Sequence, residues 1–233
     1  MIEVRKLVKR FGAKPVLRGL DFTVAEGEFV ALVGPNGAGK TTFLRVLASL
    51  ARPSLGKVSI AGFQLPSQAA EVRRSLGVVS HLPLLYGDLT AEENLRFYGK
   101  MYSVPELRER IGQVLELVGL SARRNDLVRT FSRGMQQRLA IGRAVLHDPD
   151  VILFDEPHTG LDQDACTMLD GVLKEVAARN RTVVMTSHDL ARVADLATRF
   201  DVLSRGAIVA SVRRSEIEPN NLLAFYRQAI QEA

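Results

Sequence analysis

Phe29-Val30-Ala31-Leu32-Val33-Gly34-Pro35-Asn36-Gly37-Ala38-Gly39-Lys40-Thr41 joins a five-residue apolar run to a glycine-rich octet. A helical pattern, Phe43, Leu44, Leu47 and Leu50, follows at once. The octet has the spacing Gly-x4-Gly-Lys-Thr, the phosphate-binding loop, in the strand-to-helix setting that loop requires. Each letter has a physical reason. Glycines permit positive φ and let amide N–H groups turn toward phosphate. The helix starting at Lys40 points its positive dipole end at the same anion. Lys40 reaches the β- and γ-phosphates, and the Thr41 hydroxyl can ligate Mg²⁺. The alternative is an ordinary glycine-rich turn.

Working outward, the chain alternates short β-type runs with longer helical periodicities. That order predicts an α/β fold with a mostly parallel sheet. Phe29–Val33, Val151–Phe154 and Thr182–Thr186 read as strands covered on both faces, being almost entirely apolar, β-branched or aromatic. The second runs into Asp155-Glu156 and the third into Ser187-His188-Asp189. Ligands of open α/β sheets bind at the carboxyl ends of strands, so three polar strand ends predict one shared site. Ile2–Val8 and Val16–Val24, turning near Gly12, read as antiparallel strands joined by Lys57–Ala61. Residues 88–148 read as mostly helical, an insertion between two parts of the sheet. Within it Leu107, Ile111, Val114, Leu115 and Val118 form a stripe opened near Pro105-Glu106 and closed at Gly119. Met168, Leu169, Val172, Leu173 and Val176 form another, and residues 213–233 are expected to end in a helix. Such stripes are core faces first of all.

Composition sets the outer bounds. The chain has 233 residues, 46% hydrophobic and 24% charged, with no Trp and one Cys, Cys166. A lone Cys excludes an internal disulfide framework and suits a reducing compartment. The longest apolar run falls far short of the roughly 20 residues of a membrane span. Met1–Lys6 lacks the apolar segment of a secretory leader. The net charge of +5 is compatible with nucleic acid, anionic lipid or a phosphate ligand and does not choose among them.

Asp155, behind four apolar residues, is placed as a Walker B carboxylate holding Mg²⁺ directly or through water. Glu156 beside it can take a proton from water attacking the γ-phosphate. The alternative is a strand-end acidic pair capping the next helix. His188 ends the neighbouring strand, where it is either structural or a γ-phosphate contact.

Thr130-Phe131-Ser132-Arg133-Gly134-Met135-Gln136-Gln137-Arg138 resembles the signature motif of ABC transporter ATPases, usually Leu-Ser-Gly-Gly-Gln. Glu156-Pro157-His158-Thr159-Gly160-Leu161-Asp162 is similar to that family's Walker B glutamate and D-loop. Thr186-Ser187-His188-Asp189 is similar to its switch-histidine segment. The order holds from about residue 2 to 212. The resemblance implies a P-loop NTPase with a RecA-like, mostly parallel sheet, an N-terminal antiparallel β part and a helical insertion subdomain at 88–148. Residues 1–233 would form a single ABC ATPase domain. It implies ATP and Mg²⁺ as cofactors, with Glu156 and His188 catalytic. The ATP-binding set becomes Phe11, Gly34, Pro35, Asn36, Gly37, Ala38, Gly39, Lys40, Thr41, Thr42 and His81. Thr41, Asp155 and His81 would hold the metal. It further implies a head-to-tail homodimer, in which Ser132, Arg133, Gly134 and Met135 meet the ATP of the opposite subunit and Asp162 lies at the interface. Ser132 and the helix behind it form the second anion site. Phe11 occupies the adenine-stacking position, its alternative being a hairpin core residue.

Three positions depart from the family pattern. His81, in Ser80-His81-Leu82-Pro83, stands where a Gln is usual, and is expected to contact Mg²⁺ or water and to relay to a membrane partner. Arg133 replaces a glycine, either as a phosphate ligand or as a solvated surface residue. Met135 replaces a glutamine. Ser80-His81 and Leu84–Leu95, together with Phe131–Met135, resemble the haem exporter ATPase of cytochrome c maturation. The expected protein is an export ATPase at the cytoplasmic membrane face, bound to a separate integral membrane permease, with no nucleic acid. Alternatives are an ATPase for drug, lipid or polysaccharide export, a soluble ABC ATPase acting on DNA or ribosomes, and a non-catalytic nucleotide-binding module.

Overall fold

The computed structural model describes residues 1–80, 82–179 and 181–233. His81 lies outside the described residues, and with it the metal contact and relay expected there. In chain order the elements are β1 (Ile2–Phe11), β2 (Lys14–Val24), β3 (Phe29–Val33), α1 (Lys40–Leu47), β4 (Leu55–Ile60), β5 (Phe63–Leu65), α2 (Ala69–Arg74) and β6 (Leu76–Val79). There follow α3 (Ala91–Met101), α4 (Leu107–Leu117), α5 (Arg133–Val145), β7 (Val151–Asp155), α6 (Gln163–Ala178), β8 (Thr182–Ser187), α7 (Leu190–Val193), β9 (Arg199–Ser204), β10 (Ala207–Arg213) and α8 (Leu222–Gln231).

The strands make two sheets. The smaller is antiparallel, in the order β2-β1-β4-β5, as the N-terminal runs predicted. The larger has the order β10-β9-β3-β8-β7-β6 and is parallel except for β10 at its edge. Successive side chains of a strand point to opposite faces, so strands buried on both sides must be apolar throughout. That is observed. Ala31, Val33, Ile152, Phe154, Val183 and Met185 face a core shared with α4, α5 and α6. Val30, Leu32, Leu153 and Val184 face a second core built from α1 and the antiparallel sheet. The expected helical faces are present with two exceptions. Leu50 lies beyond the end of α1 and is 62% exposed, and Met168 on α6 is 52% exposed. Leu50 leaves the stripe because the helix has already ended, and Met168 because it sits at the flank of its stripe, on the side of α6 turned out of the core.

Residues 88–148 contain α3, α4 and α5. Thr90 begins α3 with a capping box, its hydroxyl accepting from the Glu93 amide (3.1 Å) while Glu93 accepts from the Thr90 amide (2.8 Å). Arg110 of α4 satisfies the end of α5 by donating to the carbonyls of Val145 and Leu146 at 2.8 and 2.9 Å. Arg143 of α5 donates to Val78 of β6 at 2.7 Å, fastening the helices to the sheet.

His147, just after α5, stacks on Tyr102 with ring centroids 3.9 Å apart and donates from Nε2 to the Leu76 carbonyl. Burial, helped by the nearby Arg143 and Arg181, lowers its pKa to about 4 from 6.5. The folded pKa is below the unfolded one, so the unfolded chain binds the extra proton between these values. Stability is therefore full above about pH 6.5 and falls as pH drops toward 4. The loss at the lower end is on the order of 3 kcal/mol from this group alone. Urea midpoints between pH 7.5 and 4.5 check it: His147→Gln is expected to flatten the slope, and an unchanged slope refutes the assignment.

Candidate functional site

The glycine loop leaves the carboxyl end of β3, in the middle of the larger sheet. Register places Val33 beside Ser187 and Asp155 beside Thr186, so the ends of β3, β7 and β8 converge. Gly39 caps α1 with φ 112°, a left-handed conformation that favours glycine, and no side chain caps that helix end. Gly34 is required for another reason. A Cβ there would lie 2.2 Å from the Leu203 carbonyl oxygen on β9.

Lys40 is buried. Its Nζ donates to the carbonyls of Gly34 (2.7 Å) and Pro35 (3.3 Å) and lies 3.7 Å from Glu156 Oε1. The Thr41 hydroxyl donates to Asp155 Oδ1 at 3.2 Å. That oxygen also accepts from the Thr186 hydroxyl (2.8 Å), and Thr186 Oγ1 accepts from the Glu156 amide (3.0 Å). Thr186 therefore holds both acidic residues, a role that sequence reading missed. Its legible signal was a hydroxyl at a strand end in register with Asp155. Glu156 itself takes φ 52°, which aims its carboxylate away from the sheet and into the cleft. Its Oε2 is 2.5 Å from Nδ1 of His188. An ionised carboxylate only accepts, so Nδ1 carries the proton and Nε2 is left for another partner.

These groups line an open cleft of about 640 Å³. The structure brings together there Pro35, Asn36, Gly37, Gly39, Lys40, Thr41, Thr42, Asp155, Glu156 and His188, with Val16 and Thr159 in addition. Val16 comes from β2 of the other sheet, a contact with no local signal in the sequence. Gly34 and Ala38 are buried and are not among the lining residues. Phe11 is not among the lining residues. It is 53% exposed with Lys9 Nζ 4.7 Å above its ring, which overturns its alternative as a hairpin core residue. For Mg²⁺ the chemistry fits: a hydroxyl and a carboxylate, both hard oxygens, adjoin the loop that would hold phosphate oxygens. Among the described residues no group of three or more His, Cys, Asp or Glu is arranged to hold a metal ion.

The signature residues lie outside this cleft. Ser132 caps α5, its hydroxyl accepting from the Met135 amide at 3.2 Å, and no acidic residue stands in the first turn. The Arg133 guanidinium packs over Gly160, in the loop between Glu156 and α6. Met135 packs partly buried against the larger core. Asp162 caps α6 by accepting from the Ala165 amide at 2.8 Å. A Cβ on Gly134 would lie 2.9 Å from that of Ala165, so the starts of α5 and α6 touch.

A phosphate loop at a central parallel strand, with paired carboxylates at the end of β7, one strand removed across β8, defines a P-loop NTPase. Known proteins narrow the class. The ABC transporter family matches residues 17–159. The linearmycin resistance ATP-binding protein LnrL of Bacillus subtilis (strain 168) is 33% identical over 93% of this chain and 70% of its own length. Nod factor export ATP-binding protein I of Burkholderia lata is 38% identical over 90% of this chain and 69% of its own length. A dimeric ATP-binding cassette, solved in a post-hydrolysis state with ADP and Pi, superposes with a TM-score of 0.82 at 28% identity over 92% of this chain and 99% of that one. The chain belongs to the ABC transporter family, as one of its ATP-binding proteins.

Proposed function

We propose that this chain hydrolyses ATP as a head-to-tail homodimer and powers export through a separate membrane permease. One observation carries the hydrolytic part: the Glu156–His188 pair, 2.5 Å apart, faces the same cleft as Lys40 and the Thr41–Asp155 pair. ATP enters with its phosphates on the amides of residues 36–41. Lys40 exchanges its loop carbonyls for phosphate oxygens. Glu156 Oε1 takes the proton of the attacking water while Oε2 stays on His188 Nδ1, and His188 in its doubly protonated form would donate from Nε2 to the γ-phosphate. Thr41 and Asp155 would hold Mg²⁺, which supplies charge neutralisation on the β,γ-oxygens. The partner's Ser132 and α5 terminus would close on the same γ-phosphate, and Asp162 would lie between the subunits. Phe11 would reach adenine from the cleft's edge. ATP then favours the closed dimer, and hydrolysis releases it.

Docking on the permease is supported by an exposed aromatic patch on the 88–148 subdomain and the loop before it. Tyr86 and Phe97 are 49% and 40% exposed, in edge contact at 5.1 Å, with Leu84 and Met101 exposed beside them. Buried Asn94 fixes this loop by bonding to both the amide and the carbonyl of Tyr86. Among the described residues no helix is long and apolar enough to cross a membrane. In this reading the membrane span belongs to the permease, and this chain works at its cytoplasmic face. The relatives' names, linearmycin resistance and Nod factor export, support an exporter, and of the finer readings a drug exporter. Neither is named for haem, and the haem-exporter expectation gains no support from them. Nor do those names favour action on DNA or ribosomes.

Phosphate release with Mg-ATP tests the reading, and none from folded, ATP-bound chain refutes it. Phe97→Glu is expected to abolish co-purification with the co-expressed permease while leaving ATP affinity within about twofold, since one rim charge acts locally. Retained co-purification removes this docking face.

A further inference from the structure

Asp170 lies in the middle of α6, and its two carboxylate oxygens reach two different chain segments. Oδ1 accepts from Nε2 of His158 at 2.7 Å, and Oδ2 accepts from Nη1 of Arg192 at 2.9 Å. His158 is two residues beyond Glu156, and Arg192 is four beyond His188. The two segments thus carry the two residues that meet at 2.5 Å in the cleft. Arg192 is committed further. Its Nη2 donates to Gln163 Oε1 at 3.1 Å, directly after Asp162, and its amide donates to Asp189 Oδ1 at 3.2 Å.

These groups are largely shielded, with 11%, 24% and 16% of the side chains of His158, Asp170 and Arg192 exposed. An exposed ion pair contributes little, but a shielded polar group that loses its partner costs much more. His158 has no alternative arrangement. The Asp170 carboxylate only accepts, so Nε2 carries the proton, and among the described residues the buried Nδ1 has no hydrogen-bond partner. Arg192 spans Asp170 and Gln163 with separate nitrogens, which a lysine ammonium cannot reproduce.

We propose that His158, Asp170 and Arg192 form a positioning triad that sets the distance between Glu156 and His188 and ties both to the start of α6 at Asp162. This rests on the reading of Glu156 and His188 as the hydrolytic pair. None of the three touches ATP in that reading, so they act on turnover and not on affinity. Loosening the triad displaces the base by a fraction of an ångström, and misplacement of that order lowers a chemical step about tenfold.

The test measures kcat, KM for ATP, ATP dissociation constant and melting temperature for His158→Ala, His158→Gln and Arg192→Lys, with Glu156→Gln alongside. His158→Ala and Arg192→Lys are expected to lose about tenfold in kcat with KM and affinity within twofold. His158→Gln, whose amide N–H can replace Nε2–H, is expected to regain most of that loss. Wild-type kcat in His158→Ala, or a loss shared equally by affinity and melting temperature, overturns the triad. If His158→Ala does not fold, Arg192→Lys decides by the same criteria. Glu156→Gln separates the two levels. If it is inactive while His158→Ala turns over normally, only the triad fails. If it turns over normally, the assignment of the base fails first.

Discussion

Glu156→Gln is expected to cut phosphate release by roughly two to four orders of magnitude, the range that general-base catalysis contributes. The substitution is nearly isosteric. The backbone amide at 156 still donates to Thr186, and the glutamine oxygen can still accept from His188 Nδ1. What disappears is the group that accepts water's proton. A negative charge 3.7 Å from Lys40 disappears with it, so repulsion toward the ATP phosphates falls. Affinity is therefore expected to hold or rise. The variant should accumulate as an ATP-bound dimer, visible by size exclusion with and without ATP. Turnover within twofold of wild type would show that another group activates the water.

Lys40→Ala should act on the other side of the cycle, raising the ATP dissociation constant about a hundredfold, or about 2.7 kcal/mol. Lys40 is 7% exposed and makes two bonds to loop carbonyls at 2.7 and 3.3 Å. In the proposed cycle phosphate oxygens would take the place of those carbonyls on the ammonium group. A hydrogen bond to a charged group contributes roughly 1.5–3 kcal/mol, and losing the ammonium also leaves Glu156 without its nearest cation. Arginine is no substitute, because its planar fork does not fit a site shaped around two converging carbonyls. Calorimetric titration with ATP reads the effect directly. Unchanged affinity would mean that the loop binds phosphate through its amides alone.

The two variants separate binding from chemistry, and the structure explains why they can. Lys40 belongs to the helix after β3 and Glu156 to the turn after β7. Asp155 and Thr186 lie between them as a bonded pair buried at the sheet end. Arg133 shows the same local coupling on the other motif. Its side chain is exposed, in keeping with a solvated residue, and its guanidinium lies against Gly160 of its own chain.

Much of this was legible because it is local. The doubly buried strands announce themselves as unbroken apolar runs, since a strand covered on both faces has no polar side to show. The glycine loop is legible because phosphate binding demands positive φ, bare amides and a cation at fixed spacing. Asp155, Glu156 and His188 were found as polar residues ending apolar strands. Leu50 and Met168 were misplaced in their stripes because periodicity fixes a helix's face but not where the helix stops or how far the core wraps around it.

What the chain spells out by itself is therefore the α/β order, the phosphate cradle and the acidic pair, all set by residues a few positions apart. Tertiary structure alone decided the rest. Val16 reaches the cleft from a different sheet, Thr186 holds both carboxylates across two strands, and His158, Asp170 and Arg192 meet over separations of 12 and 22 residues. Such contacts depend on how β7, α6 and β8 pack, and no local pattern in the sequence encodes a distance between segments that only packing brings together.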